Sequence, residues 1–134
     1  MAIKRLTKSD NALSFGVFNP VGYVVVAFGS DEAASQAAQA LREAGFDDED
    51  ILQYSACEEA AQMKRLLDGV TGTACFGHEL LLMRRYKAMA EQGCGWLMVY
   101  APDDDHCERV VDIALREGAR LAEKYHRLVI EDLI

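Results

Sequence analysis

Two stretches of the chain, Tyr23 to Phe28 and Trp96 to Ala101, are apolar at every position. Side chains alternate faces along a strand, so strands that are apolar at odd and even positions alike are buried on both sides. Each is followed by a break and a helix start. After the first, Gly29-Ser30-Asp31 supplies an N-cap, with Asp31 and Glu32 placed where the helix dipole favours negative charge. Ala33, Ala34, Ala37, Ala38, Leu41 and Ala44 then recur with helical spacing, and Gly45 ends the helix. After the second, Pro102 and Asp103-Asp104-Asp105 open a helix with Cys107, Val110, Val111, Ala114 and Gly118 on its core face.

Between these units the pattern changes. Ile51 to Ser55 alternates apolar and polar residues, as a half-buried or edge strand does. Ser55-Ala56-Cys57-Glu58 has the form of a capping box and predicts a helix to about Asp68. Gly69 to Gly77 reads as a glycine-bearing loop, and His78 to Gln92 as a second helix with Leu82, Met83, Tyr86, Met89 and Ala90 on its apolar side. Arg127 to Glu131 reads as a short final strand.

Gly22–Gly45 lies over Trp96–Ala119 without a gap. Asp31 meets Asp105, and Ala40-Leu41-Arg42-Glu43 meets Ala114-Leu115-Arg116-Glu117. A duplicated β-α-β unit predicts an α+β fold. The expected form is ferredoxin-like: a four-stranded antiparallel sheet with helices on one face and a helical insertion at about 56–92 between the halves. The first and third strands are expected in the middle, the second and fourth outside. Residues 1–17 read as an N-terminal arm and 18–134 as a single domain. The second sheet face needs a cover, for which the insertion, the arm and a second subunit are candidates; a homodimer through this face is expected.

Charge narrows the partners. The net charge is −8, which argues against nucleic acid and anionic lipid, since both are bound mainly through Lys and Arg. No secretory signal is legible in the first residues, and the longest wholly apolar run is too short to span a bilayer, so no membrane role and a cytoplasmic location are expected. Cys57, Cys75, Cys94 and Cys107 are widely spaced without a C-x-x-C pair, the pattern of reduced thiols rather than disulfides or a zinc site.

The candidate chemistry is thin. Gly72 to Gly77 has the glycine spacing of a phosphate loop but lacks its Lys and Ser/Thr. His78-Glu79 begins like a zinc-protease helix, but Leu82 stands where the second His belongs. Asp103-Asp104-Asp105-His106-Cys107 gathers donor atoms, yet lacks the alternation and internal Gly of a calcium loop, and helix capping accounts for its aspartates. No metal and no cofactor are expected. The insertion breaks the repeat and is the expected seat of specificity, with His78, Glu79, Arg84, Arg85 and Tyr86 as candidate ligand-binding residues on adjacent stripes of one helix. An amphipathic helix with Tyr86 in the core accounts for the same pattern.

Pro20-Val21-Gly22-Tyr23-Val24-Val25, the alanine-rich helix ending Leu41-Arg42-Glu43-Ala44-Gly45, the Glu91-Gln92-Gly93 junction before Trp96, and the terminal Ile130-Glu131-Asp132-Leu133 resemble the bacterial heat-induced or general stress protein family. The resemblance covers most of the chain after about residue 18. It implies a ferredoxin-like fold and a connection to stress, and it carries over no catalytic residues.

Two function classes follow. The first is a non-catalytic domain, dimeric, that senses a small-molecule ligand or binds a protein partner. The second is a small dimeric α/β-barrel enzyme of the cofactor-independent oxygenase or isomerase type, with its pocket between sheet and helices. A concave pocket with convergent polar groups and a perturbed ionisable residue separates them.

Overall fold

The computed structural model describes residues 20–69, 77–127 and 129–134, with the backbone alone at 13–14, 17–18 and 77–79. The arm expected at 1–17 falls almost wholly outside these residues; the short strands β1 (Leu13–Ser14) and β2 (Val17–Phe18) pair with each other. The rest is an α+β fold. Strand β3 (Tyr23–Phe28), helix α1 (Asp31–Glu43), strand β4 (Ile51–Tyr54), helices α2 (Ala56–Gly69) and α3 (Gly77–Glu91), strand β5 (Gly95–Tyr100), helix α4 (Asp104–Arg116) and strands β6 (Leu121–Tyr125) and β7 (Ile130–Asp132) follow in order. The sheet order is β4-β5-β3-β6-β7, antiparallel throughout. Among the described residues no helix is long and apolar enough to cross a membrane.

Local chemistry sets the helix ends. Ser30 caps α1 by accepting from Ala33 N at 3.1 Å, and Gly45 leaves the helix at φ +102°. Ser55 and Glu58 close the capping box of α2 reciprocally, at 2.9 and 3.0 Å. Asp31, in the first turn of α1, accepts Ala56 N at 2.8 Å and so ties the start of α2 to the start of α1.

The two wholly apolar strands are internal neighbours, with Val25 opposite Met98. Two expectations are corrected. The sheet has five strands, not four. The strand expected at Arg127–Glu131 is instead β6, Leu121–Tyr125, followed by the edge strand β7; the adjacent charges of Glu123 and Lys124 mask β6 in the sequence, yet both are buried. Helices α1 and α4 cover one face, and the insertion, one of the covers expected for the second, covers the other. Val24, Val26 and Phe28 pack with α1 and α4 through Ala34, Ala37, Leu41, Val110 and Ile113. Tyr23, Val25 and Trp96 pack with α2 and α3 through Met63, Met83 and Tyr86. The insertion therefore covers the face through which a homodimer was expected to close.

Candidate functional site

At one end of the sheet a cleft of about 700 Å³ opens between the start of α4, the end of β6 and β7. Topology makes it. β5 stops at Tyr100, the chain turns through Ala101-Pro102, and Asp103 caps α4 by accepting His106 N at 2.9 Å. On the neighbouring β6, Lys124 is opposite Val24 and so shares the α1–α4 face of the sheet.

Lys124 is the unusual residue. It is 5 % exposed, and an ammonium withdrawn that far from water needs partners. Its Nζ donates to Ala101 O and approaches Cys107 Sγ at 3.5 Å. A lysine ammonium carries three donors; no acceptor for the third is found among the described residues. Cys107 is half-buried, with Sγ 3.6 Å from Ala101 O. Burial pushes its thiol above the usual range, while Lys124 pulls the other way. The rim is acidic, with Asp103, Asp104, Glu108, Asp112 and Glu131 against Arg127 and the floor lysine. The His106 amide holds the Asp103 carboxyl below its usual range, and a 2.6 Å contact to the His106 ring adds to this.

The donor atoms of Asp103, Asp105 and His106 lie within 4.8 Å of one another, with both aspartates exposed. Asp103 is already engaged twice by His106, and the His106 ring meets Phe46 edge-on at 5.9 Å. The three residues thus form a helix start braced against the chain beyond α1.

A second polar group lies under the insertion. Tyr86 and Tyr125 share a buried 2.8 Å hydrogen bond between their hydroxyls. Burial, then Tyr125, push the Tyr86 phenol well above its usual range, and the charges of Glu123 and Glu59 act in the same direction. Glu59, in the first turn of α2, is 3 % exposed; its carboxyl is pushed up to about 7, first by burial and then by Glu58.

The candidate residues of the insertion do not converge within the described side chains. His78 and Glu79 stand in the first turn of α3, and their side chains lie outside the described residues. Arg84 and Arg85 are exposed, and Tyr86 is turned into the core against Trp96 at 5.1 Å. The cleft residues come from other elements. Cys107 and the aspartates stand out in the sequence as a donor-rich run; Lys124 does not, because it sits beside Glu123 in a strand whose charges look like surface residues. Its local pattern, Leu121-Ala122-Glu123-Lys124-Tyr125, has no apolar–polar alternation that would have marked the strand.

No known protein family, no characterised protein and no solved structure matches the chain.

Proposed function

We propose that this protein is a non-catalytic binding module of the ferredoxin-like kind, which recognises a small molecule in the cleft between α4, β6 and β7. The supporting observation is Lys124, a nearly inaccessible cation on the floor of a cleft whose rim is acidic. The cleft volume lies in the range of small-molecule sites. Its electrostatics suit a zwitterion: an acceptor such as a carboxylate inward on Lys124, and an ammonium outward against the rim. Cytoplasmic work in stress or regulation rests on the resemblance to the general stress proteins, and the ferredoxin-like reading rests on the strand order of the first four sheet strands. A homodimer belongs to the same reading, although no sheet face now requires one; light scattering at micromolar concentration tests it.

The experiment is a thermal-shift screen of amino acids, simple carboxylates and simple amines against the protein and its Lys124→Met variant. A ligand at a hundredfold its Kd stabilises by about 2.7 kcal/mol. Zwitterions are expected to raise the melting temperature of the parent and not of the variant. No shift with any of the three classes at millimolar concentration overturns the reading.

One observation favours the enzyme reading. Glu59 is a buried acid raised to about 7 whose charge acts on Tyr86, and perturbed acids mark catalytic sites. Against it, Met63, Met83, Tyr86 and Trp96 fill the space between sheet and insertion where that pocket was expected.

A further inference from the structure

Cys107 stands on the second turn of α4 and Lys124 on β6, and both side chains line the cleft. Their Sγ and Nζ are held 3.5 Å apart by a helix and a sheet strand. Burial of Lys124 and its hydrogen bond to Ala101 O hold the amine beside the sulfur, so little freedom remains to be lost when the two atoms react. The other described cysteines lack this arrangement. Cys94 is 1 % exposed inside the core, and Cys57 is exposed with no hydrogen-bonded amine among the described residues.

We propose that Cys107 and Lys124 are an oxidation site, joined by a peroxide-class oxidant into a reversible sulfur–nitrogen cross-link between α4 and β6. The cross-link requires the cleft to admit a peroxide, not to bind a ligand, so it stands apart from the binding reading above. In the first step the Cys107 sulfur attacks a peroxide oxygen and the O–O bond breaks. Sulfur is oxidised to sulfenic acid by two electrons, and the peroxide is reduced to water. In the second step, which is redox-neutral, the Lys124 nitrogen loses a proton to solvent and attacks sulfur. The S–O bond breaks, and the departing hydroxide leaves as water with a second proton from nitrogen. The protein loses two hydrogens in all. Thiol exchange at sulfur reverses the link.

The surroundings set the rate. Burial raises the Cys107 thiol, Lys124 on β6 lowers it, and Asp104 on α4 and Glu131 on β7 raise it again. The thiolate is the attacking form, so cross-linking is slow at neutral pH and accelerates on the alkaline side.

The test treats the full chain with hydrogen peroxide and reads intact mass, then tryptic peptides. The expected product has lost two hydrogens, resists trypsin after Lys124, and yields the Cys107 peptide joined to the peptide spanning Lys124. Dithiothreitol restores the starting mass. Lys124→Arg keeps the cation but cannot condense in this way; its Cys107 is expected to be trapped by dimedone as the sulfenic acid and to proceed to the sulfinic acid. Cys107→Ser, read alongside, loses the joined peptide. A loss of two hydrogens that maps to a disulfide overturns the proposal, as does over-oxidation of Cys107 at the same rate in the parent and in Lys124→Arg, or a Cys107 that stays reduced while Cys57 is oxidised.

Discussion

The hydroxyls of Tyr86 and Tyr125 meet at 2.8 Å and tie α3 to β6 across the interior. Residues distant in the chain are joined where no water competes, so the bond should be felt in stability. Tyr86→Phe and Tyr125→Phe are each expected to cost about 1–2 kcal/mol in urea unfolding. The double variant should cost less than the sum, with a coupling of at least about 0.5 kcal/mol. Strict additivity would show that the two hydroxyls act independently.

Glu59 gives the protein a pH dependence of known sign. Its folded-state pKa of about 7 lies above the ordinary glutamate value of 4.5. The unfolded chain therefore releases its proton first as pH rises. Stability contributed by the neutral carboxyl is complete below about 4.5 and is lost progressively up to about 7. The loss amounts to on the order of 3 kcal/mol. Glu59→Gln keeps the shape and cannot ionise, so its stability should change less over this window, and at pH 8 it should exceed the parent. A parent and variant with parallel pH–stability curves would assign the dependence to another group.

What the sequence made legible is what local chemistry determines. Val24 to Phe28 announces a doubly buried strand because every position is apolar, and Ser55 with Glu58 announces a helix start because the cap is a property of adjacent residues. β6 was hidden because Glu123 and Lys124 look like surface residues unless their partners are known. The docking of α2 and α3 on the sheet depends on contacts such as Tyr86 with Trp96 and Tyr125, which no local window contains. The cleft was legible in half. The run from Asp103 to Cys107 stands out as a cluster of donors, but the buried cation that completes it arrives from a different element.

Gly95 marks how closely α1 approaches β5. A Cβ built there would stand 2.6 Å from Ser30 O, 2.8 Å from Asp31 Cα and 2.9 Å from the Ala34 Cβ. Two of these three neighbours are backbone at the capped start of a helix and cannot swing aside. Gly95→Ala is expected to cost about 1–3 kcal/mol, and Gly95→Val more, because the start of α1 must move off the sheet. Denaturant midpoints that fall in the order parent, Ala, Val support this packing; an unchanged midpoint for Ala would mean that the approach is looser.

The overlay of the two strand–helix segments slips by one residue in space. The gapless overlay sets Leu41 against Leu115, yet Leu41 is 2 % exposed and Leu115 53 %. The caps explain the slip. Leu41 stands as far beyond Ser30 as Ala114 stands beyond Asp103, and Ala114 is buried at 2 % exposure. Helix register follows the capping residue, since the cap fixes which face of the first turn meets the sheet. Leu41→Ala should therefore cost about 2–5 kcal/mol, whereas Leu115→Ala should fall within about 0.5 kcal/mol of the parent. Equal losses for the two substitutions would return Leu115 to the core and make the sequence overlay, rather than the caps, the guide to equivalent positions.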